Sequence, residues 1–195
     1  IAGPGFINIS LSELCWHSLL SRVLLNGINF GRSNIGSSKK ANVEFVSANP
    51  TGPLHVGHTR GAVFGDALAS LLSYSGYEVT REYYINDGGA QVDVLARSVF
   101  LRYQEAFGKE VVFEDGTYPG DYLIPIALKL KDKFGDAYLQ KSEDKWLPEF
   151  RDYAVQAMME LIKSDLDLLG IEMDTYFSEK SLYDSGQIEA ALDRL

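Results

Sequence analysis

The sequence predicts a doubly wound α/β domain on a parallel sheet, and three observations carry that prediction. Short β-rich runs alternate with longer amphipathic segments: "ANVEFVS" (41–47), a helical stretch over 57–75, "YEVTREYYIND" (77–87) and a second helical stretch over 88–107. In the order strand, helix, strand, helix, the strands become parallel through right-handed crossovers. An apolar fraction of 46% over 195 residues is enough for one full core with an appended subdomain.

Taken in order, residues 1–12 read as a strand with the alternating run Phe6-Ile7-Asn8-Ile9, introduced by the Gly3-Pro4-Gly5 turn. Residues 13–26 are helical in pattern, and "NGINFGRSNIGSSKK" (26–40) is a polar, Gly/Ser-rich connector that marks a boundary. The strand over 41–47 leads into a turn containing Asn49, Pro50, Gly52 and Pro53. In the helix from Gly57 to Ser75, Phe64, Leu68, Leu71 and Leu72 share one face, while Gly61, Ala62, Gly65 and Ala69 keep it slim enough to lie close to a sheet. Gly76 stops it. Val92, Leu95, Ala96, Val99 and Phe100 give the next helix its apolar face. Residues 108–147, with "EDGTYPGDY" and a charged helix, interrupt the alternation as an insertion. A long helix (148–169) then leads to a further strand, Met173 to Phe177. The chain begins without methionine and stops at "IEAALDRL" within a helical pattern, so it is expected to be part of a longer protein.

The balance of 18 basic against 27 acidic residues, a net charge of −9, argues against a general nucleic-acid-binding surface. Any RNA contact is local or lies outside these residues. A single cysteine, Cys15, excludes an internal disulfide framework and a multi-cysteine zinc site, and fits a reducing, cytoplasmic setting. There is no signal peptide and no apolar run of bilayer-spanning length.

The stretch "ANPTGPLHVGH" (48–58) holds two of the three histidines, His55 and His58, directly before a helix. One could cap the helix while the other is solvated. A metal site needs more ligands than His17 and Cys15 supply. The third reading is positional: in a doubly wound sheet, ligands collect outside the carboxyl ends of the strands, where the turn after the first strand meets a helix N-terminus. Free N–H groups and the positive helix end there suit an anion such as a triphosphate, and two imidazoles add donors that can stabilise charge growing on the α-phosphate as pyrophosphate leaves. Gly57 removes a side chain where a flat ring could lie. No P-loop or G-x-G-x-x-G serves this role, which leaves adenylyl transfer.

H-x-G-H after the first strand of such a fold resembles the "HIGH" signature of class I aminoacyl-tRNA synthetases and related nucleotidyltransferases. "VEFVSANPTGPLHVGHTRGAVFGDALASLL" followed by "GYEVTREYYINDGGAQVD" resembles the arginyl-tRNA synthetase family of bacterial type more specifically. "GPGFINISLS" and "FGRSNIGSSKK" are similar to the end of that family's N-terminal tRNA-binding domain and its linker. "GDYL" and "FSEKSLYDSG" are similar to its later catalytic segments. The resemblance implies a partial Rossmann-like domain: 1–26 ending the tRNA-binding domain, 27–40 as linker, and 41–195 as the N-terminal half of the catalytic domain with its insertion at 108–147. It also implies ATP with Mg2+ as a substrate complex and no protein-bound metal. L-arginine and tRNA(Arg) are the other expected partners, the tRNA engaged mainly through segments outside this chain. A cytoplasmic enzyme, monomeric when complete and with no membrane partner, is expected.

The HIGH region is then Ala48, Asn49, Pro50, Thr51, Gly52, Pro53, Leu54, His55, Val56, Gly57 and His58. By resemblance, Thr51 lines the ATP site, His55 and His58 bind its phosphates as the catalytic pair, and Gly57 accepts the adenine face. Ser47 and Asn49 contact the α-amino end of arginine, or alternatively hydrogen-bond the rigid turn. Glu44, among Val43, Phe45 and Val46, sits in a strand expected to be buried on both faces, where a carboxylate is costly unless paired. Either it meets an internal base or the connector, or it accepts the planar guanidinium of arginine, as the family implies. Asp87 and Gln91 fall at the carboxyl end of the second strand and border the arginine pocket, or cap the next helix. Arg60 and Asp66 suit packing or salt-bridge roles.

The sequence departs from the family pattern in two places: Gly88-Gly89 replaces the usual Ala-Gly, and Gly52 stands where many members carry lysine. Members without that lysine resemble this sequence and supply one from a downstream KMSKS loop, which residues 1–195 do not contain. The rivals are another H-x-G-H nucleotidyltransferase and an inactive synthetase-like binding module.

Overall fold

A three-stranded parallel sheet organises the computed structural model, which describes residues 3–195. Its strands are β1 (Lys40–Glu44), β2 (Glu78–Ile85) and β3 (Thr175–Ser178), in the spatial order β1-β2-β3. β1 pairs with β2 from Lys40 opposite Glu78 to Glu44 opposite Glu82, and β2 with β3 from Glu82 opposite Thr175 to Ile85 opposite Ser178. All three carboxyl ends therefore open on the same edge. With its flanking helices this is an open, partial Rossmann-like α/β sheet, the class the alternation predicts.

Helix α2 (Val56–Tyr74) makes the crossover from β1 to β2. Its buried residues are Ala62, Gly65 and Ala69, and a Cβ on Gly65 would run into the Phe45 ring. Small side chains thus set how closely the helix approaches the sheet, while Phe64, Leu68 and Leu71 are exposed on the outer side. Asp66 pairs with Arg81 of β2, Oδ1 to Nε at 3.0 Å, as its place in the helix suggested.

Between β2 and β3 lie α3 (Ala90–Ala106), α4 (Ile124–Phe134) and α5 (Glu143–Leu168). They enclose one apolar cluster in which Phe100 stacks on Trp146, centroids 3.9 Å apart, and meets Phe150 edge-on. The 108–147 segment belongs to this cluster through Leu123, Ile126, Ala127 and Leu130. A second cluster joins Phe45, Ala62 and Tyr83 to Met159, Ile162 and Leu166 of α5. α5 thus contributes to both clusters and carries the helical unit on the sheet. Short helices α6 (Lys180–Asp184) and α7 (Gln187–Leu192) close the chain. Among the described residues no helix is long and apolar enough to cross a membrane.

Four expectations are corrected. Residues 3–5 form a turn, Phe6 makes a single bridge and 7–12 have no regular structure, so among the described residues the alternating Phe6-Ile7-Asn8-Ile9 run joins no sheet; residues 1 and 2 of the expected strand lie outside the described residues. α1 (Glu13–Asn26) forms where its periodicity placed it, with no buried residue. α5 starts at Glu143 instead of Pro148. Proline favours the first helical turn, but the Trp146–Phe100 stack fixes the residues before it in helical register. β1 ends at Glu44, and Glu44 is exposed instead of buried on both faces. Phe45 packs against the helices, whereas Glu44 projects to the opposite, open face, which it shares with its neighbour Glu82.

Candidate active site

Beyond β1 the backbone enters the left-handed region at two consecutive non-glycine residues, Val46 (φ 67°) and Ser47 (φ 41°). For a β-branched valine this is a strained conformation. It turns the chain out of the sheet while the Ser47 side chain takes over the pairing: Ser47 Oγ accepts from the Tyr84 N–H at 3.0 Å, and the Ser47 carbonyl accepts from Asn86 Nδ2 at 3.3 Å.

The following turn is held at three backbone points by residues far apart in sequence. The Tyr83 hydroxyl donates to the Ala48 carbonyl (2.8 Å), the Tyr122 hydroxyl donates to the Thr51 carbonyl (2.7 Å), and the Leu54 N–H donates to Asp165 Oδ2 (3.3 Å). Burial pushes the Tyr83 and Tyr122 phenols above their ordinary range, so both remain protonated donors. Pro50 is fully buried beneath the turn. Asn49 Nδ2 donates to Gln91 Oε1 at 2.6 Å, which leaves the Asn49 amide oxygen turned outward as an acceptor. Sequence patterns pointed to Asn49 and Gln91, but not to Tyr83, Tyr122 or Asp165. These three belong to a strand, the 3-10 turn Asp121–Leu123 and a helix, and only the fold brings them to one turn.

The two histidines cap α2 reciprocally. His55 Nδ1 accepts from the Gly57 N–H (3.1 Å), and His58 Nδ1 accepts from the His55 N–H (3.4 Å). The rings stack with centroids 3.8 Å apart and 21° between planes. Acceptance at Nδ1 places each proton on Nε2, so two N–H donors are presented at the N-terminus of a 19-residue helix. Desolvation and then the neighbouring His55 charge hold His58 below its ordinary value, favouring the neutral ring. A Cβ at Gly57 would lie 3.0 Å from the His55 ring, so glycine is what lets the imidazole fold back onto the helix start. Capping and ligand donation are compatible, because they use different ring nitrogens. His17 lies on α1, and among the described residues no three His, Cys, Asp or Glu side chains gather as a metal site.

The open face beside the turn is acidic and aromatic. Tyr84 stacks on Phe177 at 5.9 Å, and its phenol is raised by desolvation and then by the charges of Glu179, Tyr183, Asp87 and Glu44. A planar cation fits such a surface. Asp87 itself is engaged: Oδ2 accepts from Ser178 Oγ (2.6 Å) and Oδ1 from the Lys180 N–H (2.8 Å), while its carbonyl accepts from Arg151 (2.8 Å). It ties the end of β2 to β3 and the start of α6. Glu44, Ser47, Asn49, Gln91 and the histidine pair stand along the carboxyl edge; Arg60 is exposed on α2.

The sequence and the fold have counterparts among known proteins. Residues 19–115 match the family model described as tRNA synthetases class I (R), catalytic domain. Arginine-tRNA ligases of Ruegeria pomeroyi and Jannaschia sp. are each 65% identical over all 195 residues, and the chain spans about a third (34%) of the length of these relatives. The arginyl-tRNA synthetase structure from Campylobacter jejuni superposes with a TM-score of 0.82 at 36% identity, over 94% of this chain and 40% of that one. The Thermus thermophilus arginyl-tRNA synthetase gives 0.57 at 26% identity, over 91% and 29%. The parallel sheet and these relatives agree: over its whole length the chain is similar to part of the arginine-tRNA ligases, and residues 19–115 carry the match to the class I (R) tRNA synthetase catalytic domain.

Proposed function

We propose that the protein carrying this chain activates L-arginine with MgATP to arginyl-adenylate and transfers the arginyl group to the 3′ end of tRNA(Arg). The observation that carries this is the pairing of two outward Nε2–H donors at the start of α2 with an acidic face that begins at Glu44 on the neighbouring strand end. In this reading Glu44 accepts the guanidinium of the substrate, and Asn49, with Ser47 beside it, accepts the α-ammonium. The arginine carboxylate is then directed at the α-phosphate of ATP, which lies over Thr51 and Gly57. His55 and His58 donate to phosphate oxygens as negative charge develops, a stabilisation strongest in the transition state. Asp87 and Gln91 border the amino-acid side. Mg2+ enters with the ATP it accompanies, tRNA(Arg) is engaged mainly outside residues 1–195, and the setting is cytoplasmic.

The test is arginine-dependent exchange of pyrophosphate into ATP, measured on the full-length protein with tRNA(Arg) present and each of the standard amino acids in turn. Exchange with arginine alone is the expected result. Exchange with a different amino acid, or with none, rejects the reading.

A further inference from the structure

Tyr122 lies in the 108–147 segment, far from the histidines in sequence, yet its hydroxyl reaches the Thr51 carbonyl at 2.7 Å. The contact is built from both sides. Leu123, the next residue, is fully buried in the cluster of α3, α4 and α5, and the Tyr122 ring packs against the same cluster, so the hydroxyl projects from a rigid base. Gly52 makes room on the other side: a Cβ there would meet the Tyr122 hydroxyl at 3.3 Å and its ring at 3.4 Å. A Cβ at Gly120 would run into the ring as well.

We propose that Tyr122 is a positioning residue for nucleotide activation, holding residues 51–54 so that His55 and His58 meet the ATP phosphates in register; this rests on the function proposed above. The assignment to the nucleotide side follows from how the turn is divided. Ala48 is held by Tyr83 and Asn49 by Gln91, so the arginine end keeps its supports when the Thr51 contact is lost. Thr51, Gly52, Pro53 and Leu54 lead directly into the cap residue His55, and between Asn49 and the Leu54–Asp165 hydrogen bond the Tyr122 hydroxyl is the side-chain contact that fixes the backbone. An imidazole donor displaced by a fraction of an ångström loses much of its transition-state interaction.

The test is Tyr122→Phe in the full-length protein, which removes one hydroxyl and keeps the ring packed. Pyrophosphate exchange is measured over ATP at saturating arginine and over arginine at saturating ATP, with active sites titrated. The expected result is a kcat/KM for ATP lowered roughly three- to tenfold per active site, the range spanned by one neutral hydrogen bond. The arginine KM should stay within about twofold and the active fraction should be unchanged. Unchanged ATP constants, or equal losses for ATP and arginine with a reduced active fraction, overturn the proposal. If the wild-type protein shows no arginine-dependent exchange, the functional reading fails separately. Calorimetric binding of a non-hydrolysable ATP analogue with Mg2+ then decides about Tyr122: weaker binding by the variant supports the role, while equal affinity, or binding by neither, overturns it.

Discussion

His55 and His58 stack at 3.8 Å and each accepts a backbone hydrogen bond at Nδ1, so one pair of side chains both caps α2 and fixes its own tautomers. The first expected outcome concerns that tautomer. At pH 7, long-range 15N–1H spectra should show His58 as the neutral Nε2–H form, with protonation only below its ordinary value of 6.5. Because the folded-state value is depressed, the unfolded chain binds this proton more readily. Its stabilising contribution is therefore present above pH 6.5 and declines as pH falls through the folded value. A proton on Nδ1 at neutral pH would contradict the reciprocal cap.

Two substitutions separate the two jobs of His55. His55→Ala in the full-length protein removes both the cap and the donor: stability should fall by about 1 kcal/mol, and adenylation kcat by on the order of a hundredfold or more, with a much smaller rise in arginine KM. His55→Asn keeps a capping side chain. It should restore most of the melting temperature and little of the rate. An unchanged rate in the alanine variant would remove His55 from the chemistry.

Glu44 is exposed and its carboxylate has no hydrogen-bond or salt-bridge partner among the described residues, so Glu44→Gln should leave the melting temperature nearly unchanged. A charge-assisted contact with a guanidinium is worth about 1.5–3 kcal/mol, so the arginine KM should rise roughly ten- to a hundredfold while the ATP KM holds. A defect confined to ATP would show that Glu44 serves the nucleotide.

The legible parts of this molecule are those where local periodicity and final packing agree. The strand-helix alternation gave β1, α2, β2 and α3 to within a few residues, since turns and small residues fix those ends locally. The small-residue face of α2 is readable because Ala62, Gly65 and Ala69 recur at helical spacing; all three are buried, and Gly65 is where the helix comes closest to Phe45. What the pattern could not show depends on distance in sequence. Whether Glu44 is covered depends on which face of β1 the helices occupy. Tyr122 and Asp165 reach the HIGH turn only after α3, α4 and α5 have packed. Beyond the single bridge at Phe6, the Phe6-Ile7-Asn8-Ile9 run forms no strand among the described residues for the same reason, because alternation makes a strand only where a neighbouring strand accepts its hydrogen bonds.

Val46 gives the last expected outcome. Its φ of 67° is a conformation that a β-branched residue adopts at a cost of about 1–3 kcal/mol, and the neighbouring Ser47 is also left-handed. Glycine adopts that conformation freely, so Val46→Gly relieves the strain, partly offset by the greater entropy glycine gains in the unfolded chain. Val46 also packs on the Phe45 and Tyr83 cluster, and loss of that contact opposes the gain. The net change in stability should therefore be small, within about 1 kcal/mol. Activity should respond more. With a glycine at the bend, the backbone samples paths other than the one that places Ser47 Oγ on the Tyr84 N–H, and Asn49 loses its fixed approach to Gln91. The arginine KM should rise several-fold while melting changes little. A large loss of melting temperature would instead show that the valine side chain, and not the strained backbone, is what the site depends on.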